Sequence, residues 1–489
     1  MMNAWNVQLA TKPSPHAGTA AALGTAVLIG ITAVGLPDLA FGLVSGLIVV
    51  TLVAMLGELA VGRVLGLTGL VMNAMTLPAA WSGVLSVRGT PLSLGDLALF
   101  AGFGLCVIGL PSNLVRPTRF VVAVTALVVA LGLLGTLQSG LDLPWQNELL
   151  RVLRFGSAAT IGLAVASYSF QMMATAASLV VWQASFAVAA SQIWGVQLTG
   201  RIAEVNSLAS STGALSSALR YQVPSSQVAL VFAVFAVCIS LLGQRLSPAM
   251  RVTTGAAFAL TILNFSRNSL VVLVLASFFA FLVFSPPGRF RRSAKGVGVV
   301  LASSVLLLLV GRILPTGGLT EQLTEVESAF VDRVFVGFSG QARNRDSSLL
   351  LRQLETTAAV DAIISRPVAG FGFGVPYREP INYGEFWARS GRTYVHNGYL
   401  WVGVKSGLIG LAALCGLAGF AVQGALRHPR RFGTVAPLGA AALSTLLAMM
   451  IVMIWVPFLI DPWAGPTMAL LGSIVFVQSK ELMRNPKTQ

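Results

Sequence analysis

The run NGYLWVGVKSGLIGLAALCGLAGFAV, residues 397–422, contains one charged residue and is long enough to cross the hydrocarbon core of a bilayer. Apolar runs of about 17 to 25 residues recur along nearly the whole chain. Of its 489 residues, 55% are hydrophobic and 10% are charged. This composition predicts an all-α polytopic membrane protein.

We predict about 12 to 14 transmembrane helices. The fourteen candidate spans lie near residues 18–36, 39–57, 64–86, 94–111, 119–137, 156–173, 175–194, 226–242, 249–265, 268–284, 297–314, 397–422, 433–456 and 462–478. The first run begins near Gly18 without a recognisable cleavage site, so we expect it to be retained as an anchor. Cys106, Cys238 and Cys415 all lie in apolar runs, which argues against a disulfide framework.

The distribution of basic residues predicts the orientation. The net charge is +15, and much of it lies in short loops between spans, which disfavours nucleic-acid binding. With a cytoplasmic N-terminus, the basic loops fall on one side and residues 315–395 fall on the outer side. The predicted organisation is an N-terminal helical bundle (1–314), a large periplasmic loop (315–395) and C-terminal transmembrane helices (396–489). The outer side lacks ATP, so chemistry there needs an already activated substrate.

The cations in and beside this outer loop are all arginines. They are Arg312, Arg333, Arg343, Arg345, Arg352, Arg366, Arg378, Arg389 and Arg392. A guanidinium matches phosphate oxygens bidentately and stays charged, which favours a phosphate or pyrophosphate ligand. The alternative is that these arginines only solvate a surface loop.

Two further residues stand out at the outer membrane interface. Arg267 lies between two apolar runs, where it either reaches lipid headgroups or faces an anionic ligand. His396 lies where the polar loop meets an apolar helix, whereas His16 and His428 lie in segments assigned to the cytoplasm. Histidine titrates near neutral pH, so His396 is the candidate general base.

A helix is predicted over residues 349–364, where apolar residues recur at helical spacing. Pro367 and the glycines Gly370, Gly372 and Gly374 end it. The glycines form either a phosphate nest or a plain loop.

Three segments resemble the O-antigen ligase and O-antigen polymerase superfamily. They are SRNSLVVLVLASFF (266–279), LRQLETTAAVDAIISRPVAGFGFG (351–374) and HNGYLWVGVKSGLIGL (396–411). The first resembles the family's Ser-Arg motif, the second its arginine-led amphipathic helix, and the third its His-Asn-x-x-Leu followed by Gly-x-x-Gly. Thr356 stands where the family usually has tryptophan, so Arg343 and Arg345 remain alternatives to Arg352 for the family arginine.

The resemblance implies a glycosyltransferase of the C type that moves a glycan from undecaprenyl pyrophosphate to a hydroxyl acceptor, with inversion. His396 would be the base, and Arg267 and Arg352 would hold the pyrophosphate, with Arg345 and Arg343 as substitutes. Asn397 and Tyr399 would either support the site or only cap the following helix. We find no cluster with metal-ligand spacing and predict neither a metal nor another cofactor. The expected partners are the lipid-linked oligosaccharide, a glycan or lipid A core acceptor, and membrane lipids.

Two other interpretations stay open. A carboxylate could serve as the base, the candidates being Asp346, Glu355, Asp361, Glu379 and Glu385. A flippase for lipid-linked sugars would need internal repeats and ionisable residues buried at mid-span. We find no convincing repeat, and Glu58, Asp96, Lys405 and Asp461 are predicted near span ends.

The motifs describe donor handling, so they leave open whether the acceptor makes the protein a polymerase or a ligase. The number of polymerases in the family favours polymerisation of a surface polysaccharide or exopolysaccharide.

Overall fold

The computed structural model describes residues 53, 55–76, 92–139, 145–199, 201–204, 219–264, 266–285, 347–380, 390–459 and 461–484. Within these ranges the chain is an all-α polytopic membrane protein. Five of the described helices are long and apolar enough to cross a membrane, judged by length and composition. The predicted spans 18–36 and 297–314 lie outside the described residues, as does most of 39–57, so the total count stays a prediction.

Thirteen α-helices are used below, numbered in chain order over the described ranges. They are α1 Glu58–Ala74, α2 Leu94–Gly109, α3 Ser112–Ser139, α4 Gln146–Ala166, α5 Phe170–Trp194, α6 Ser226–Leu241, α7 Pro248–Leu263, α8 Arg267–Phe278, α9 Ser347–Ser365, α10 Gly398–Arg427, α11 Pro429–Val435, α12 Pro437–Val452 and α13 Ala464–Arg484. A π-helical turn, Phe279–Phe284, continues α8. A two-stranded antiparallel sheet, β1 Arg201–Glu204 and β2 Leu219–Gln222, lies between α5 and α6.

The helix boundaries correct one feature of the sequence prediction. The sequence predicts a span over 156–173, but α4 begins at Gln146 and ends at Ala166, and α5 begins at Phe170. The predicted span excludes the first three turns of α4 because they contain Glu148, Arg151 and Arg154. These polar side chains face the protein rather than a loop, so the helix extends past them.

Helices α1 and α2 pack closely through small residues. A Cβ atom on Gly69 would lie 2.6 Å from the Gly95 carbonyl oxygen, and one on Gly62 would lie 2.8 Å from the Cys106 nitrogen. Small residues let two membrane helices approach until their backbones touch. The largest core cluster begins at these helices with Leu67 and Leu99 and continues through α6, α12 and α13 with residues such as Phe235, Leu443 and Leu471.

The two ends of α3 mark the two ends of the bundle. Near its start, the Lys480 ammonium of α13 donates to the Asn113 carbonyl at 2.6 Å. Near its end, the Phe373 amide donates to the Gly132 carbonyl at 3.3 Å, and the Thr136 hydroxyl to the Phe373 carbonyl at 3.0 Å. The loop after α9 therefore lies at the opposite end of the bundle from the basic end of α13.

Helix α10 is broken at Gly407, whose φ of 68° and ψ of −175° are not helical. The loop after α9 completes the hydrogen bonding there. The Phe371 amide donates to the Val404 carbonyl, and the Leu408 amide donates to the Pro367 carbonyl, both at 2.7 Å. Broken helices are tolerated at membrane depth where other protein groups satisfy the freed backbone. The break therefore fastens the loop to α10.

Candidate functional site

Helix α9 confirms the predicted amphipathic helix and carries the first polar residues of the site. It spans Ser347–Ser365, and its buried face includes Leu351, Glu355, Ala359 and Ala362. Arg352 precedes Glu355 by three residues, a spacing that places two side chains on neighbouring positions of one helix face. The apolar residues of this face pack into a cluster with Trp401 and Val402 of α10.

The Glu355 side chain contacts both the main-chain amide and the imidazole ring of His396. Oxygen Oε2 of Glu355 accepts a hydrogen bond from the His396 amide and lies 2.8 Å from Nδ1 of the imidazole. The Glu355 side chain is 1% exposed and that of His396 is 21% exposed. A carboxylate oxygen at this distance is a hydrogen-bond partner for a protonated Nδ1, and it engages that nitrogen rather than Nε2. The buried acid thus orients the ring through Nδ1.

Tyr394 connects the histidine to the surrounding charges. Its ring meets the His396 ring edge to face, with centroids 5.0 Å apart at 86°. Burial raises the pKa of the Tyr394 hydroxyl, and the negative charges of Asp461 and Glu355 raise it further. The positive charges of Arg151 and Arg352 act in the opposite direction. Two arginines and two carboxylates therefore surround the phenol beside the imidazole.

The segment that carries the histidine is fixed to the loop before it. The Tyr377 hydroxyl donates to the Tyr394 carbonyl at 3.1 Å, and the Arg378 guanidinium donates to the Gly391 carbonyl at 2.6 Å. Burial raises the pKa of Tyr377, which keeps its hydroxyl protonated as a donor. These bonds hold the polypeptide on both sides of residues 381–389.

Arg267 begins α8 at the same end of the bundle as His396. The far end of α8 meets α11, where Phe284 packs on Phe432 with centroids 6.5 Å apart. Helix α8 packs along α12, whose last residues adjoin the start of α10: the Gly398 amide donates to the Met453 carbonyl at 2.9 Å. The start of α8 is therefore directed to the end of the bundle that holds the imidazole.

The glycine loop is not a phosphate nest in this structure. Gly370, Gly372 and Gly374 all have positive φ, but the protein itself supplies acceptors for the amides of Gly370 and Gly374. The Gly374 amide donates to the Glu148 carboxylate at 2.7 Å, and the Gly370 amide to the Arg366 carbonyl at 3.1 Å. A carboxylate of the protein thus occupies the position expected for a phosphate.

Glu148 also pairs with Lys405, which lies deeper than predicted. The Lys405 ammonium is 3.1 Å from Glu148 Oε2 and donates to the Val375 carbonyl at 3.2 Å. Its side chain is 0% exposed, in the third turn of α10. This pair joins α4, the glycine loop and α10. Glu58 begins α1, Asp96 lies in the first turn of α2 and Asp461 precedes α13, so these three do lie near helix ends.

Asn397 and Tyr399 take structural positions. The Asn397 side-chain oxygen accepts from the amides of Tyr399 and Leu400, so it caps α10. The Tyr399 hydroxyl donates to the Met450 carbonyl at 2.9 Å. These bonds fix the start of the helix, whose cap Asn397 directly follows His396.

The other predicted residues are dispersed or outside the described ranges. Asp361 and Glu379 are exposed, whereas Glu355 is buried against the histidine. Arg366 stacks on Phe371, 4.6 Å from the ring centroid. Arg343, Arg345, Asp346 and Glu385 lie outside the described residues, as do Arg312, Arg333 and Arg389. Among the described side chains no group of three or more histidine, cysteine or acidic residues could hold a metal ion.

Sequence reasoning misses Arg151, Glu148 and the pairing of Glu355 with His396. Arg151 and Glu148 fall before the predicted span, because α4 begins earlier than that span. Glu355 is predicted only as a rival base, since nothing local connects it to a histidine 41 residues later. The one available signal is its position three residues after Arg352, on the same face of the predicted helix.

The fold defines an integral membrane protein of the all-α class with a polar site at one end of its bundle. A family model described as O-antigen ligase matches residues 252–415, which include Arg267, Arg352, Glu355 and His396. This match, over about a third of the chain, confirms the resemblance to the O-antigen ligase and polymerase superfamily that is seen in the sequence. That family implies a glycosyltransferase-like ligase or polymerase acting on lipid-linked polysaccharide. No curated protein sequence matches the chain.

Proposed function

We propose that the protein transfers an oligosaccharide from undecaprenyl pyrophosphate to a hydroxyl acceptor at the outer face of the bacterial inner membrane. The observation that carries this proposal is the Glu355–His396 pair, with Nδ1 of the ring 2.8 Å from a buried carboxylate oxygen. A histidine held in this way is a base that is ready to accept a proton at Nε2. The loop 315–395 and the site face the periplasm in this proposal, and the helices adopt the C-type glycosyltransferase fold.

In the proposed reaction, Nε2 of His396 removes the proton from the acceptor hydroxyl. The oxygen attacks the anomeric carbon of the donor sugar as the bond to the pyrophosphate oxygen breaks, with inversion. The electron pair of that bond leaves with undecaprenyl pyrophosphate, and the proton stays on the imidazolium, which Glu355 stabilises. Arg352 and Arg267 hold the pyrophosphate and offset the charge that grows on it. We assign this task to arginines and propose a metal-independent reaction.

Polymerisation of surface polysaccharide or exopolysaccharide repeat units is the activity we favour. Polymerases form many branches of this superfamily, whereas ligases form one. The description of the matching family model favours a second candidate, an O-antigen ligase that transfers the chain to lipid A core. A flippase for lipid-linked oligosaccharides is the alternative from another class, and it predicts movement between leaflets without a new bond.

The test uses purified protein in proteoliposomes that contain undecaprenyl-pyrophosphate oligosaccharide, with and without a glycan acceptor. Wild-type protein should yield a longer saccharide and free undecaprenyl pyrophosphate, and His396→Ala and Arg352→Ala should reduce the rate by at least about 10²-fold. His428→Ala, at the opposite end of α10, is the matched control and should be nearly neutral. Product formation with lipid A core alone would identify a ligase. A fully active His396→Ala protein contradicts the general-base role.

A further inference from the structure

Arg151 is an arginine inside a candidate membrane-spanning helix without a close partner in the described part of the chain. It lies in the second turn of α4 and is partly buried. Asp461 and Tyr394 interact with it only electrostatically, and no described hydrogen bond or ion pair within 4 Å engages its guanidinium. Ionisable residues at membrane depth are costly, so they mark binding sites and pathways.

Arg154, one turn further along α4, shows the opposite arrangement. Its Nε and Nη2 atoms lie 2.6 and 2.7 Å from the two oxygens of Asp96, which is wholly buried. Asn73 donates to the same carboxylate at 3.0 Å. Arg154 is thus neutralised by the protein, whereas the donors of Arg151 are left for another acceptor.

The pocket that Arg151 lines contains a second donor. Trp401 of α10 lines the same pocket and is 1% exposed, and its indole N–H has no hydrogen-bond acceptor in the described structure. A buried tryptophan N–H usually has a partner. The other lining residues are apolar apart from Thr125, whose hydroxyl donates to the Val121 carbonyl. A guanidinium and an indole N–H that lack acceptors among the described residues indicate a ligand that carries anionic oxygens.

An apolar groove continues from this pocket along the bundle. The pocket and the groove share Phe155, Leu414, Leu417 and Leu459. The groove has a volume of about 380 Å³ and lies between α3, α4, α10, α12 and α13. Its lining on α10 consists of Tyr399, before the break at Gly407, and of residues between Leu414 and Val422, after it.

We propose that Arg151 and the indole of Trp401 bind the pyrophosphate of the lipid-linked donor, and that the groove takes its polyisoprenoid chain. The inference rests on the proposed function and deepens it. The groove is apolar, as a hydrocarbon chain requires, and it is lined by Tyr399, which lies three residues after His396 in the chain. In this proposal, a donor bound there places the bond between its sugar and its pyrophosphate near His396. Arg151 lies outside residues 252–415, so it is a contribution from the N-terminal bundle.

The test measures dissociation constants for undecaprenyl pyrophosphate, undecaprenol and phosphatidylglycerol in phosphatidylcholine nanodiscs. Arg151→Gln should weaken undecaprenyl pyrophosphate binding about 10- to 100-fold and leave undecaprenol unchanged, because only the former is charged. Trp401→Phe, which removes the N–H and keeps an aromatic ring, should weaken it about 3- to 10-fold. Arg366→Gln, an exposed arginine near the same loop, is the charge control and should stay within about twofold.

The groove is tested with a residue that lines it. Gly472→Leu fills space in the groove, since a Cβ there meets its nearest neighbours at 3.9 and 4.0 Å, and it should weaken both undecaprenyl lipids. Gly416→Leu is the matched control, because a Cβ at Gly416 has open space around it and the residue does not line the groove. Arg151→Lys serves as a second variant if Arg151→Gln does not fold.

Each outcome separates this inference from the proposed function. Unchanged binding in Arg151→Gln, or equal affinity of the site for phosphatidylglycerol, overturns the assignment of the donor site. If wild type forms glycosidic bonds in proteoliposomes and Arg151→Gln keeps the wild-type KM for the donor, only this inference fails. If the lipid binds as expected and no bond forms, the lipid site stands and the proposed transfer reaction fails.

Discussion

A single carboxylate oxygen contacts both the main chain and the ring of the candidate base. Oε2 of Glu355 is 2.8 Å from the amide and from Nδ1 of His396, and its side chain is almost fully buried. In the proposed reaction the acid is a positioning residue, which acts through the imidazole rather than on the substrate. This arrangement follows the logic of an acid–histidine pair in hydrolases, although the reaction proposed here is glycosyl transfer.

Glu355→Gln should lower kcat by about 10²- to 10⁴-fold and leave the donor KM within a few-fold of wild type. The amide keeps the shape of the carboxylate, but it no longer stabilises a proton on the imidazole. Glu355→Asp should recover part of kcat. Steady-state kinetics with lipid-linked oligosaccharide provide the measurement, with Asp361→Asn, an exposed carboxylate on the same helix, as control. A proportional rise of KM with intact kcat would show that Glu355 only supports the fold.

The contact between the glycine loop and α3 is the main feature at the scale of elements. Gly372 has a φ of 98°, and a Cβ on it would overlap the Thr136 amide nitrogen. A Cβ on Gly135 would lie 2.6 Å from the Gly372 nitrogen. The loop and the helix thus approach until their backbones meet, which only glycine allows. This contact determines where α9 and its two site residues lie relative to α3.

Gly372→Ala should lower the free energy of unfolding by about 2 to 4 kcal/mol, because it adds backbone strain and a steric overlap. Thermal unfolding in detergent provides the measurement. Gly416→Ala is the control, since its surroundings are open, and it should be neutral or slightly stabilising in a helix. Equal stability of both variants contradicts the close contact between loop and helix.

Sequence patterns predict the elements better than the contacts between them. The apolar runs give α6, α7 and α8 with its π-helical turn to within about two residues, and helical spacing with Pro367 gives α9. The start of α4 is misplaced because charges at its beginning are typical of a loop, yet Arg154 is neutralised by Asp96 from a distant helix. Local motifs identify His396, Arg352 and Arg267 as candidate site residues. The positions of Glu148 and Arg151 in the fold depend on packing between distant helices, which no local sequence pattern predicts.

At the scale of the whole molecule, one buried ion pair joins the N-terminal bundle to the C-terminal helices. Lys405 of α10 is 3.1 Å from Glu148 of α4, and Glu148 also accepts from the Gly374 amide. Ion pairs buried in this way are seldom strongly stabilising in themselves, but the loss of one partner leaves a buried charge. The pair therefore restricts how the two halves of the protein fit together.

Lys405→Met should destabilise the protein by about 3 to 5 kcal/mol, because it leaves Glu148 uncompensated. The double variant Lys405→Met/Glu148→Gln should recover most of that loss, since glutamine still accepts from the Gly374 amide and carries no charge. Unfolding in detergent measures both, together with Glu148→Gln alone to complete a double-mutant cycle. Additive effects of the two substitutions would show that the charges do not interact.

The break at Gly407 has a consequence for biosynthesis. Pro367 and Phe371 supply the acceptor and the donor that complete the hydrogen bonds of α10 around the break. Ribosomes make these two residues first, and chains begin to fold from the N-terminal side during synthesis. The loop is therefore already present when the broken helix inserts, and insertion in the reverse order would expose unpaired backbone groups to lipid. We therefore expect α9, which bears Glu355, and the loop after it to be in place first. Helix α10, which follows His396, then packs onto them.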